Sequence, residues 1–398
     1  MKIDGMLRWG FLTVILVTLL ALGFNVSPVA AQAVKDEWGI ITIPKGGTIK
    51  IGFGAALSGD YAKLGIDIKN GAQLAVEEKK TIQGFKIALE VGDDQCEGAP
   101  SVALAEKLGA NPSVVGVVGY MCSGGSIPAS DVQNKYKKVM ISPSSTAIAL
   151  TAKGLPVVFR VCPNDGAQGT VAGKFVLEKL KKKNVAIIHD KSAYGQGIAD
   201  IVKATVEKGG GKVLSYEGIT RGDKDFSPVL TKIKPLKPEL IYFGGMAAEG
   251  ALIARQMKDV GIDAIFMSDE GLHDVKDFIG AAGKASEGAY ITAPRVEEKA
   301  KAVVTFKEKY EKKFGPLGVF SRQGYDATVV LMRAVEKVAK KQPDGSLAVG
   351  QKALADAVRA TKLEGATGKI AFDAKGDNTG AEWKVTTVKG GKFEDVKK

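Results

Sequence analysis

The sequence predicts an α/β fold of two doubly wound parallel-sheet lobes. Short β-branched apolar runs alternate with amphipathic helical stretches along most of the chain, which places parallel strands between layers of helices. The alternation breaks at Pro163-Asn164-Asp165-Gly166, a strong turn signal, and then restarts, so there are two sheets rather than one. The 398 residues are enough for two medium domains, each with its own core.

Thr48–Leu57 reads as a buried strand, turned by Ser58-Gly59-Asp60. Ile66–Lys80 reads as a helix with Ala72, Leu74, Ala75 and Val76 inward. Phe85, Ile87, Leu89 and Val91 alternate with a period of two and give a strand, and Ala99–Leu108 follows as a helix. Val114–Val118 is a short β-branched run suited to a strand covered on both faces. Gly119 ends it, and Ser123-Gly124-Gly125-Ser126 opens a helix running to about Lys137. Unsatisfied N–H groups and the helix dipole favour an anion there, although a plain Ser-capped βα loop has the same residues. Val139–Ser142 and Val157–Val161 complete the first series of strands.

In the second series the predicted helices are Gln168–Leu180, Tyr194–Lys208, Phe226–Ile233 and Ala247–Val260. The strands between them are Val185–His189, Lys212–Ile219, Leu240–Phe243 and Ala264–Ser268. Gly288–Thr292 is a further strand, and Pro294 beyond it marks another crossing between lobes. Helices are expected at Glu297–Lys313, Gln323–Lys340 and Leu347–Ala360. Late strands at Gly368–Asp373 and Glu382–Val388 are expected to complete one sheet each.

Residues 1–31 read as a secretory signal peptide. Lys2 and Arg8 form a basic start, Trp9–Phe24 is an apolar run of 16 residues, and Val29-Ala30-Ala31 and Ala31-Gln32-Ala33 offer small-residue cleavage sites. The run is short for a membrane span, so the expectation is an exported protein without direct membrane insertion. The formal charge is +12, and Lys2, Arg8 and Asp4 account for a net +1 of it. The lysines are dispersed and interleaved with acids, and the densest group, Lys179 to Lys183, sits at a predicted helix C-terminus where cations are favoured. No aromatic-rich basic motif for nucleic acid is present.

Cys96 and Cys122 both lie just past predicted parallel strands and so could meet. A bridge between them would contribute about 3–4 kcal/mol through chain entropy. Cys162, in Phe159-Arg160-Val161-Cys162-Pro163, reads as a buried thiol at a strand end. The only histidines are His189 and His273. Neither has metal-ligand spacing, no Gly-x-Ser-x-Gly elbow or phosphate loop occurs, and no cofactor is implied. These absences argue against a hydrolase or a nucleotide-using enzyme.

Ligands of open parallel sheets bind beyond the carboxyl ends of the strands. In the first half those ends carry Ser58, Ser123, Ser144, Ser145 and Thr146, which are hydroxyl groups suited to a carboxylate. In the second half they carry Asp190, Tyr194, Met246, Asp269 and Glu270, which include carboxylates suited to an ammonium. Lobes that face each other would thus hold a zwitterion such as an α-amino acid.

Several blocks then carry a family resemblance. They are Met121-Cys122-Ser123 with Pro128-Ala129-Ser130-Asp131, Met140-Ile141-Ser142-Pro143, Ile187-Ile188-His189-Asp190-Lys191 with Tyr194-Gly195, Gly222 to Phe226, Tyr242 to Gly245, and Glu270-Gly271. In this order they resemble the periplasmic leucine/isoleucine/valine-binding proteins of ABC importers, from about Thr48 to the last strands. The resemblance implies a type I periplasmic binding fold with a three-segment hinge near residues 164, 294 and 380. Residues 48–164 plus 295–380 would form lobe 1, and 165–294 plus 381–398 lobe 2.

It also implies roles. Ser123 and Thr146, beside Ser145, would hold the ligand carboxylate. The Ser144 carbonyl and Glu270 would hold the ammonium, Tyr194 would close over the ligand, and Phe320 would touch its side chain. Cys96 and Cys122 match the family's disulfide. Leu64 stands where well-known members carry Trp, and Met246 where they carry Tyr, so the side-chain pocket should be more adaptable. The implied partners are an amino-acid ligand and a membrane permease, with the protein itself a monomer. The alternatives are an amide, urea-like or aromatic-acid ligand on the same fold, and a sensory receptor role.

Overall fold

The structure is a computed structural model that describes residues 34–396; the predicted export leader lies outside the described residues. The chain begins with β1 (Ile40–Ile43) and β2 (Thr48–Ala55). It continues through α1 (Ala62–Lys79), β3 (Thr81–Ile82), β4 (Phe85–Asp93), α2 (Gly98–Ala110), β5 (Val114–Val118), α3 (Ser123–Lys135), β6 (Val139–Ser142), α4 (Ala149–Ala152) and β7 (Val158–Arg160). After the first crossing come α5 (Asp165–Lys174), β8 (Asn184–His189), α6 (Gly195–Lys208), β9 (Lys212–Gly218), α7 (Ser227–Ile233), β10 (Leu240–Gly244), α8 (Ala247–Asp259), β11 (Ile265–Ser268) and β12 (Tyr290–Arg295). Next are α9 (Lys301–Phe314), α10 (Ser321–Val338), β13 (Lys340–Lys341), β14 (Leu347–Gly350), α11 (Gln351–Arg359), β15 (Lys362–Gly365), β16 (Gly368–Ala371), β17 (Glu382–Lys389) and β18 (Lys392–Asp395).

Two large sheets organise these elements. One has the order β3-β4-β2-β5-β6-β7 and the other β18-β17-β12-β11-β10-β8-β9. The first is parallel from β4 to β7, and the second from β12 to β9. Both sheets are buried on both faces, which explains the near-continuous apolar strands. Val114–Val118 is buried at every position, as is Leu240–Gly244. In the first sheet Ile49, Ile51 and Val115 pack under α1, α10 and α11, while Val114, Val117 and Met140 pack under α2 and α3. In the second, Ile241 and Phe243 pack toward α7 and α8, and Val185 and Tyr242 toward α5 and α6.

Helices α1 and α10 cross closely because two glycines leave room. A Cβ on Gly71 would lie 2.1 Å from the Ser321 carbonyl oxygen, and one on Gly324 2.3 Å from that of Ile68. This crossing holds Leu64 and Phe320 at the same end of the first sheet.

Three expectations change. The helix expected over residues 347–360 is split: Leu347–Gly350 is a strand paired antiparallel with β1, and the helix starts at Gln351. Gly350 ends the apolar run, and Asp36 caps α11 from the far end of the chain, with Lys352 N and Ala353 N donating to its carboxylate at 2.9 and 3.0 Å. The strand at 368–371 does not enter the first sheet but pairs with β15 as a separate hairpin. By contrast, β17 joins the second sheet as expected, antiparallel to β12. The helix expected from Glu297 starts only at Lys301.

The segments near residues 164, 294 and 380 run beside one another. Pro294 pairs with Trp383, whose indole N–H donates to the Asn164 carbonyl at 2.9 Å. Asn164 Nδ2 in turn donates to Asp377 Oδ2 at 3.2 Å, and Asn378 Nδ2 to the Val161 carbonyl at 2.9 Å.

Candidate functional site

A cleft of about 1280 Å³ opens where the carboxyl ends of the two sheets face each other. Its first wall comes from the β2–α1 turn, the start of α3, the loop after β6 and the start of α10. Its second wall comes from the loops after β8, β9, β10 and β11.

The start of α3 supplies donors. Cys122 is extended and its carbonyl accepts from Gly125 N and Ser126 N at 3.0 and 2.8 Å. Helix geometry leaves the Ser123 and Gly124 N–H groups without an intrahelical acceptor. Both residues line the cleft, and Gly124 faces open space. The Cys96–Cys122 disulfide is formed and ties this helix start to the loop after β4.

The opposite wall supplies the Glu270 carboxyl, and two more, Asp165 and Asp269, are buried near it without lining the cleft. Glu270 is 3 % exposed, lies at the cleft surface and accepts from Gln168 Nε2. Gln168 is itself fixed through Nε2 to Thr292 Oγ1 at 2.7 Å. Asp165 is 1 % exposed and neither carboxylate oxygen has a hydrogen-bond partner among the described residues. Asp269 accepts from Gly245 N and Gly271 N, both at 3.1 Å. Burial raises the Glu270 carboxyl above its ordinary range, opposed by the bonds from Gln168 and Tyr194. Burial and the Glu270 charge push Asp165 and Asp269 well up. The nearby buried cation, Arg160, opposes this at Asp165 without cancelling it. Arg160 is committed to Asp377 at 2.6 Å, to Thr151 Oγ1, and to the Ser145 and Ala147 carbonyls.

Seven of the nine expected ligand residues line the cleft: Leu64, Ser123, Ser144, Tyr194, Met246, Glu270 and Phe320. Ser145 and Thr146 lie behind the lining. The Ser145 hydroxyl is spent on Ser126 Oγ at 2.5 Å and the Met121 carbonyl at 2.9 Å. The Thr146 hydroxyl is buried with no partner among the described residues, and its carbonyl accepts from Asp165 N at 2.9 Å. Ser144 Oγ donates to the Met121 carbonyl at 2.9 Å. Tyr194 OH accepts from Gly271 N at 3.3 Å, which holds the phenol beside Glu270. Sequence reading missed Asp165 and Gln168. Asp165 was absorbed into the turn signal, and only its burial at a lobe crossing singles it out.

The groups considered for catalysis are engaged elsewhere. His189 Nδ1 accepts from Lys191 N at 3.2 Å, and His273 stacks on Phe393 at 4.1 Å. The Cys162 thiol is buried, which pushes its pKa up and keeps it protonated.

A family description, periplasmic binding protein, matches residues 48–392. A leucine-, isoleucine-, valine-, threonine- and alanine-binding protein of Pseudomonas aeruginosa is 38% identical over 337 residues, covering 83% of this chain and 87% of that protein. A leucine binding protein from Thermotoga maritima superposes with a TM-score of 0.81 at 27% identity, covering 88% of this chain and 98% of that one. A branched-chain amino acid transporter substrate binding protein from Streptococcus pneumoniae, solved with isoleucine, gives 0.77 at 28% identity, with 87% and 98% covered.

Proposed function

Because the chain belongs to the periplasmic binding protein family, we propose that it captures an α-amino acid, branched-chain or otherwise aliphatic, and delivers it to the membrane permease of an ABC importer. One observation carries this reading: the buried Glu270 carboxyl, with no cation bonded to it among the described residues, faces an uncharged helix start with free N–H groups across one cleft. The Ser123 and Gly124 amides, with the Ser123 hydroxyl, hold the ligand carboxylate, and Thr146 backs them. Glu270 and the Ser144 carbonyl hold the ammonium, with Asp165 behind. Tyr194 covers the bound ligand. Leu64, Met246 and Phe320 surround its side chain.

The chain divides at the three adjacent crossings into residues 48–164 with 295–380, and 165–294 with 381–398. Rotation about these segments opens and closes the cleft. A monomer suffices for this cycle. Residues 1–31 direct export, so the protein works in the periplasm, and no helix among the described residues is long and apolar enough to cross a membrane. Its role is binding and not turnover.

Calorimetric titration of the leader-free protein, stripped of co-purified ligand, against the twenty amino acids and a set of amides and aromatic acids tests the reading. Branched aliphatic amino acids should bind most tightly. Binding only of compounds without an amine would sink it.

A further inference from the structure

Two sets of contacts cross the mouth of the cleft and involve none of the ligand roles assigned above. In the first, Arg221, which follows β9 of the second sheet, reaches the first. Its Nε donates to Tyr61 OH at 3.0 Å, and its guanidinium lies 4.6 Å from the centre of the Tyr61 ring. Nη2 lies 3.7 Å from Cys96 Sγ, and Nη1 lies 3.8 Å from Glu97 Oε1. Asp190 steadies Arg221 from its own side at 3.8 Å. That carboxylate is fixed in turn by Ser192 N at 2.9 Å and Ser192 Oγ at 2.6 Å.

The second set runs the other way. Lys63, at the start of α1, reaches Asp274 Oδ1 and Oδ2 at 2.8 and 2.7 Å and Asp277 Oδ2 at 3.2 Å. Asp274 is held in place by Lys276 N and Asp277 N, which donate to its Oδ1 at 2.8 and 2.7 Å. Each lobe therefore extends a cation to a receiver on the other: Tyr61, which packs against the core of the first sheet, and Asp274, which is already held by backbone N–H groups. Little side-chain freedom is lost by the receivers when the lobes meet.

We propose that Arg221–Tyr61 and Lys63–Asp274 are two interlobe clasps that set how long the closed form lasts, and hence the residence time of the ligand, without touching it. The proposal builds on the amino-acid-binding reading. A partly exposed ion pair contributes modestly, and a cation over an aromatic ring adds to it, so each clasp should slow dissociation by about three- to tenfold. Apparent affinity scales with the fraction of molecules in the binding-competent state, so loss of a clasp weakens all ligands alike.

The experiment is stopped-flow measurement of isoleucine association and dissociation on the full leader-free chain, with Arg221→Gln, Lys63→Gln and the double variant. Dissociation should quicken in each single variant and further in the double, and association should not slow. Added salt should quicken wild-type dissociation more than that of Lys63→Gln. The charge-exchanged pair Lys63→Asp with Asp274→Lys should recover slow dissociation that Lys63→Asp alone loses. An unchanged dissociation rate in the double variant, or no recovery in the exchanged pair, overturns the clasps. Thermal unfolding without ligand separates these effects from misfolding. Solution scattering gives a readout that needs no ligand: the double variant should have the larger radius of gyration, and equal radii count against the clasps. Absence of isoleucine binding in the wild type would instead count against the amino-acid reading.

Discussion

Glu270 concentrates the chemistry of the cleft in one side chain. A carboxylate that is 3 % exposed and held only by uncharged partners, Gln168 and Tyr194, is costly alone and strongly attractive to an ammonium. Glu270→Gln keeps the shape and removes the charge, and it should weaken amino-acid binding by about 2–5 kcal/mol, measured by calorimetric titration. A second expectation concerns protons. In the free protein the Glu270 and Asp165 carboxyls are raised by burial, and a bound ammonium brings them down. Binding should therefore release protons between the bound and free values. Affinity should be full above the raised free-state range and fall as the pH drops through it. Titrations in buffers of different ionisation enthalpy check the proton count. The sequence made Glu270 legible because it follows a strand end. It hid Asp165, since an acid in a Pro-Asn-Asp-Gly turn reads locally as a turn former, and only tertiary burial sets it apart.

At the scale of elements, close approach and capping decide what the sequence pattern leaves open. The α1–α10 crossing depends on the absence of a side chain at Gly71. Gly71→Ala should cost about 1–3 kcal/mol and lower the thermal midpoint, because the added methyl meets the Ser321 backbone rather than a movable side chain. The central strands and the helices around them were legible from period and β-branching, as Val114–Val118 and Leu240–Phe243 illustrate. The 347–360 region was not. Its strand half is made by pairing with β1, and the start of α11 is capped by Asp36, partners that no local window contains. Asp36→Ala should cost about 1 kcal/mol, seen in chemical denaturation, by opening the first turn of α11. The hairpin of β15 and β16 escaped for the opposite reason. Gly368–Ala371 has the pattern of a sheet strand, and its nearest partner in the chain captured it first.

Across the whole molecule, two sheets with separate cores share three adjacent connections, a layout suited to rigid-body rotation. The cleft lies between the two sheets, so ligand binding should stabilise the protein as a unit. Ligand at 100 times its dissociation constant should add about 2.7 kcal/mol and raise the unfolding midpoint. The Cys96–Cys122 bridge acts at this scale too. It joins the loop after β4 to the helix start that lines the cleft. Cys96→Ser with Cys122→Ser should cost about 2–4 kcal/mol of stability in denaturant titration.

The Asp36 contact bears on maturation. The residue that starts α11 stands only a few positions beyond the predicted leader, while the helix it serves is among the last parts of the chain to be made. The newly exported molecule cannot finish this corner until its tail has arrived to meet its head. Any trimming enzyme that removed a few residues too many would leave a protein with an intact binding cleft and a loosened seam on its far side.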